Sequence, residues 1–269
     1  MAKVVTDDSH YKAIADTIRE QMANAGMNET MHPAEMAGWI SDACTVARAA
    51  GKTEGVAEGK QTEYDRFWDA YQENGNRTNY EHSFRGTGWT QETFRPKYNL
   101  ILSGSNISVF QNMGFVGDLA QRLEDLGVTL DTSRATVLSS LFNSATDITR
   151  IGVIDISNAP NSNAVFAYFK GHTIDKVIVT ENNMWDFQFQ TCTYLENLTI
   201  EGAIGKSGLN LQWSTKLSKA SITSVVNALS RTTSGLSVTF SETAVNNAFT
   251  EAEWAVLAAA KPNWTINLV

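Results

Sequence analysis

Apolar residues recur in register along the middle of the chain. Phe142, Ile148, Ile151 and Val153 follow an apolar-x5-apolar-x2-apolar-x-apolar spacing. Tyr168, Ile174, Val177 and Val179 repeat it, then Phe189, Leu195, Leu198 and Ile200, then Leu211, Leu217, Ala220 and Ile222. The second half of the pattern occurs once earlier, as Leu123, Leu126 and Val128. Successive ends Val128, Val153, Val179, Ile200 and Ile222 lie 25, 26, 21 and 22 residues apart. The third position after each leading residue is small (Ala145, Gly171, Cys192, Ser214), and the next is Thr146, His172, Thr193 or Thr215. A period of this size predicts stacked repeats. The closing apolar-x-apolar pair predicts one short strand per unit, with those two residues inward and their neighbours outward. One unit cannot bury its apolar face alone, so units stack until a continuous core forms.

The flanks follow other patterns. Asp7, Asp8 and Ser9 supply helix-start chemistry before Ile14, Ile18 and Met22, and Gly26 stops that helix. A second helix is expected from Pro33 through Met36, Ile40 and Ala43, completing a helical hairpin. Gly51, Gly55 and Gly59 then recur every fourth residue. On a helix they would line one face and permit close self-association, as in a stalk that forms a trimer; otherwise the segment is a flexible polar linker. Tyr64, Phe67, Trp68 and Tyr71 give a stronger helix that ends at Asn74-Gly75. Tyr80, Phe84, Trp89, Phe94 and Tyr98, interleaved with Gly, Thr and Arg, read as an irregular cap over the repeat core or as a base-stacking surface. After the repeats come a helix from Ser221, a strand through Leu236, Val238 and Phe240, a helix opened by a Thr250/Glu253 capping box, and a strand Trp264–Leu268.

The repeat resembles leucine-rich repeats of the BspA type, whose units run from Phe through a small or Cys slot to Leu and a Val/Ile strand; the likeness covers about residues 120–225. It implies architecture, since activity lives in sites rather than folds. Separately, "YKAIADTIREQM" followed by "MHPAEMAGWI", within residues 10–42, is similar to the N-terminal segment of tail and baseplate-associated proteins of phages that infect Gram-positive bacteria. The stretch from Phe67 to Tyr98 resembles segments between helical start and repeats in such proteins. Together these give an α+β chain: N-terminal helices, then a short leucine-rich-repeat-like solenoid with a helix/strand C-terminal cap. The divisions expected are 1–50, a helical anchoring hairpin; 51–75, a stalk helix or linker; 76–119, an aromatic-rich cap; 120–225, the solenoid; and 226–269, the C-terminal cap.

Charge narrows the function. The net charge of −8 disfavours a sequence-independent nucleic-acid binder, which needs a basic face. Cys44 and Cys192 lie far apart and do not suggest a disulfide framework. No apolar run reaches the roughly 18 residues that span a bilayer, and the N-terminus lacks a signal-sequence pattern. His10, His32, His82 and His172 show no metal spacing, and no nucleophile elbow, Walker or dinucleotide pattern occurs. "SGSNISVF" and "GAIGKSG" only faintly suggest phosphate binding, and Asp65 with Asp69 reads as the solvated side of a helix. Neither an enzyme nor a cofactor or metal is expected.

What remains is binding. Trp185 lies in a polar turn, Trp213 in a slot that is polar in the other units, and His172 in a slot otherwise held by threonine; these are the candidate surface residues. Gly51, Gly55 and Gly59 are the candidate oligomer contacts. The resemblances imply a non-enzymatic virion protein of tail-fibre or baseplate type. It would form a homo-oligomer, with a trimer favoured, and dock to other virion proteins through residues 1–75. The repeat domain would be displayed toward host carbohydrate or protein, with neither nucleic-acid binding nor membrane insertion. The alternatives are a purely architectural collar, head-fibre or decoration protein, and a bacterial adhesin of the same repeat type.

Overall fold

The chain turns at five phenylalanines that stack into a ladder. In the computed structural model, which describes residues 56–86, 88–185 and 188–269, ring centroids lie 5.2 Å apart for Phe84–Phe110, 4.9 Å for Phe110–Phe142, 6.4 Å for Phe142–Phe166 and 5.2 Å for Phe166–Phe189. All five side chains are buried. The backbone follows them: the N–H groups of Phe84, Phe110, Phe142 and Phe166 donate to Val109, Leu141, Val165 and Gln188 carbonyls, one coil further on. Residues two before and two after Phe84, Phe110 and Phe142 do the same, as in Ser140 to Asn163 and Ser144 to Ala167, and so does Tyr168 after Phe166. This pairing works because those flanking residues are left-handed: His82, Ser108, Asn112, Ser140, Ser144, Ala164, Tyr168 and Thr191 all have φ between 50° and 59°. Alternating hands turn successive N–H groups toward the same neighbour.

Strands form the other side of each coil. Among the described residues the fold is mixed α/β, with five α-helices and nine strands in three sheets, all pairings parallel. Strand β1 (Leu100–Ser105) pairs with β3 (Leu130–Val137). Strands β2 (Gly117–Asp118), β4 (Ile148–Asp155), β5 (Thr173–Val179) and β6 (Asn197–Gly202) form the second sheet in that order. Strands β7 (Asn210–Leu211), β8 (Leu236–Phe240) and β9 (Trp264–Leu268) form the third. Between turns and strands, buried polar side chains staple coils together. Asn183 Nδ2 donates to Ile156 O at 2.7 Å, and Gln188 Nε2 to Ser162 O at 2.6 Å. Such satisfied buried groups fix register where apolar contact alone would tolerate slippage.

Parallel strands recur along this stretch, but their register differs from the sequence reading. Ile151 pairs with Ile174 and Ile174 with Leu198; Ile154, not Val153, pairs with Val177. Val153 is 47% exposed. The ladder ring of the next coil is Phe166, while Tyr168 points outward. Phe169 explains the shift: it fills the slot that Ala145 and Cys192 keep small, and a side chain at Gly171 would lie 2.1 Å from its ring. Leu126 and Val128, the inward pair of the earliest expected strand, instead lie in the turn after helix α2 (Leu119–Asp125), which Asp118 N-caps, and the strand begins only at Leu130.

The last unit is not a strand either. Helix α3 (Lys219–Ala228) starts at the Ser218 cap, so Ile222 reaches the core from a helix. It also closes the sheet. Ser221 Oγ accepts from Leu198 N–H and Ser224 Oγ from Ile200 N–H, both at 2.9 Å. Two hydroxyls thus satisfy a strand edge that would otherwise invite another chain. Beyond it, Lys261 is buried and its Nζ donates to the carbonyls of Asn227 (2.8 Å) and Leu229, neutralising the end of α3. Helix α4 (Glu242–Ala248), capped by Ser241, was not foreseen. Helix α5 (Glu251–Ala259) opens with the expected Thr250/Glu253 capping box.

At the other end, helix α1 (Val56–Tyr71) is built into the core. Trp68 is buried, 5.7 Å from Phe84 and 5.2 Å from Trp89, and its Nε1 donates to Thr93 O at 2.9 Å. Gln72 is buried too, accepting from Lys97 N (2.7 Å) and Tyr98 N (3.0 Å) and donating to Tyr98 O (2.8 Å). The aromatics of residues 76–98 seal this end. No helix among the described residues is long and apolar enough to cross a membrane.

Truncating a ladder ring should remove buried area and leave a void between two neighbours. Phe142→Ala is expected to lower unfolding free energy by about 3–5 kcal/mol, and Phe142→Leu by less, in urea titration. Glu253 gives a pH prediction. Lys219 Nζ at 2.7 Å, then the Thr250 N–H and hydroxyl, hold its carboxyl down at about 2 against an ordinary 4.5. A depressed folded pKa adds stability that is complete above the ordinary value and lost as pH falls from 4.5 to about 2. Glu253→Gln should flatten that part of the Tm-against-pH curve.

Candidate binding surface

The residues singled out from sequence go to different places. Trp185 is a correction: it is buried, stacking on the last ladder ring with centroids 6.4 Å apart, and its indole Nε1 has no hydrogen-bond partner. An end ring needs a lid, and Trp185 supplies one. Trp213 is 49% exposed, as expected of a residue outside the core positions. His172 is on the surface, its Nδ1 3.2 Å from Glu196 Oε1. Gly51 and Gly55 lie outside the described residues, and Gly59 falls within helix α1.

Beside His172 the structure gathers residues that the sequence reading did not select. Tyr194 is exposed, its ring 6.1 Å from His172 and 5.0 Å from the ammonium of Lys216. His172, Tyr194 and Lys216 come from three successive coils. The coils are held in this register by Cys192 Sγ donating to Phe166 O (2.9 Å) and Ser214 Oγ donating to Cys192 O (3.1 Å). Tyr168 is exposed in the first of them. The signal for Tyr168 was available in the spacing: Phe142, Phe166 and Phe189 form a more even series, 24 and 23 residues apart, than one running through Tyr168.

Other candidates resolve into packing. Cys192 is buried and its thiol is pushed up to about 12 by desolvation, which suits a small core residue and not a nucleophile. In "GAIGKSG", a side chain at Gly205 would lie 2.5 Å from Glu181 Cβ. Glu181 in turn accepts from Ser230 (2.6 Å) and Thr232 (3.2 Å). The glycine makes room for the backbone and Cβ of Glu181, whose carboxylate is the wrong charge for a phosphate cradle. In "SGSNISVF", Asn106 is a buried staple accepting from Tyr80 N at 2.6 Å. Asp69 accepts from Tyr98 Oη at 2.6 Å and sits 3.3 Å from Lys97 Nζ, contacts that hold its carboxyl below the usual range.

On the sheet face, Arg150 bridges three strands. It grips Asp175 with two 2.8 Å bonds and Asp118 with one of 3.3 Å, which keep it protonated. Lys176 pairs with Glu201 at 2.5 Å. These charges are spent on one another. Among the described residues, no group of three His, Cys, Asp or Glu side chains is placed to hold a metal ion. Comparison of the chain with protein-family models, curated proteins and solved structures gives no match.

Proposed function

We propose that this chain is a non-enzymatic phage virion protein of tail-fibre or baseplate type. In this reading it displays a leucine-rich-repeat-like solenoid for contact with a host surface. The observation that carries the display role is the exposure of Tyr168, Tyr194 and Trp213 on three successive coils, with His172 and Lys216 against Tyr194, on a frame otherwise fixed by buried rings and staples. Solvent-facing aromatics on three successive coils favour a contact surface over a purely architectural role. The virion assignment rests on the resemblance of residues 10–42 and of the Phe67–Tyr98 segment to phage tail and baseplate proteins. The N-terminal region is the assembly device, and several copies per particle raise weak contacts to useful avidity.

Because Tyr64, Trp68 and Gln72 are buried among the aromatics, a truncation that keeps the head intact must begin near residue 56 rather than after the helix. The mass of the full chain and of residues 56–269 in solution tests the reading. An oligomer, with a trimer favoured, is expected for the full chain and a monomer for the truncation. Two monomers would overturn the assembly role.

A further inference from the structure

The second position after each ladder ring is occupied in turn by Gly86, Asn112, Ser144, Tyr168, Thr191 and, after Leu211 in the next coil, Trp213. The first five are left-handed, with φ of 98°, 52°, 57°, 59° and 59°. Glycine and asparagine suit that conformation; a bulky tyrosine and a β-branched threonine are the residues least at ease in it. Two adjacent coils therefore carry backbone strain that Asn or Gly would relieve. Burial does not offset it at Tyr168, whose side chain is 43% exposed. Strain kept where packing gains little points to function.

The neighbouring positions fit the same purpose. Fourth and fifth after the ring stand Lys170 and Gly171, then Thr193 and Tyr194, then Thr215 and Lys216; the coil before has Ser144, Thr146 and Asp147 instead. The fifth slot is aromatic on the first two coils as well, but Trp89 and Phe115 there are buried, so exposed aromatic and cationic residues occupy these slots together on the last three coils. On a chain of net charge −8, this strip carries Lys170, Lys216 and His172 against Glu196. Tyr168 and Trp213 stand two coils apart, about 10 Å at the ordinary strand spacing, the span of about two pyranose rings.

We propose that Tyr168, Thr191, Tyr194 and Trp213, with Lys170 and Lys216, bind a linear acidic polysaccharide. Sugar faces stack on the exposed rings, threonine hydroxyls meet sugar hydroxyls, and the lysines meet the acid groups. The proposal rests on the reading of the repeat head as a displayed, non-catalytic binding domain.

Native electrophoresis of the full chain through gels containing polygalacturonate, hyaluronan or alginate, with neutral dextran as control, tests it. Polymer and protein are both anionic, so retardation cannot come from bulk charge. Retardation by at least one acidic polymer and not by dextran is expected. Trp213→Ala should weaken it about tenfold, in line with loss of an aromatic contact. Tyr168→Asn should weaken it as much while raising Tm by about 2–4 °C, because it relieves the left-handed strain. A merely structural Tyr168 would move both in the same direction. The strip is overturned if no acidic polymer retards the protein, if Trp213→Ala behaves as wild type, or if Tyr168→Asn lowers Tm. The assembly reading fails separately: a monomeric full chain that is still retarded overturns assembly and leaves the strip standing.

Discussion

Stacking of one phenylalanine on the next is the interaction from which the rest of this fold follows. A ring buried between two others fixes the spacing and the rotation of three coils at once. The left-handed residues on either side then aim the backbone N–H groups at the following coil, so apolar burial and hydrogen bonding reinforce the same register. Parallel strands on the opposite side inherit that register. The ends are the vulnerable places, because a terminal ring and a terminal strand each lack a neighbour. Trp68, Trp89 and Phe94 cover the first ring, Trp185 covers the last, and the hydroxyls of Ser221 and Ser224 cover the edge of β6.

Repetition was legible in the sequence because every unit must present apolar residues to the same core. Register was not. Phe166 and Tyr168 are both aromatic and two residues apart, and only the turn conformation decides which faces inward. That conformation is hidden because Tyr168 and Thr191 adopt a hand their residue types disfavour. Caps and helices of the C-terminal part were legible where side-chain chemistry announces them, as with Thr250 and Glu253. The start of α3 was missed by a few residues because Ile222 fits both a strand repeat and a helix face. Trp185 was misread for a related reason: its position lies outside the repeat, yet the end of a ladder needs a residue that no repeat supplies. Trp213 and His172 were correctly placed at the surface, whereas Tyr194 and Lys216 become their neighbours only when the coils stack.

This division bears on function. Residues that hold the stack are shielded and mostly satisfied, and the charged groups of the sheet face are paired with one another. Among the described residues, the exposed aromatics Tyr168, Tyr194 and Trp213 fall on the last three coils, where Tyr168 and Thr191 impose a conformational cost. A rigid frame with a locally strained, exposed strip suits recognition of an extended ligand by a surface already in its bound geometry.

Native-state amide hydrogen exchange tests the ladder most directly. If stacked rings and their hydrogen bonds bind coil to coil, the amides of Phe110, Phe142 and Phe166 should exchange only through global unfolding, with the same opening free energy as those in β4 and β5. Exchange of these amides through local opening, while β4 and β5 stay protected, would contradict the account and make the strands the element on which the stack depends.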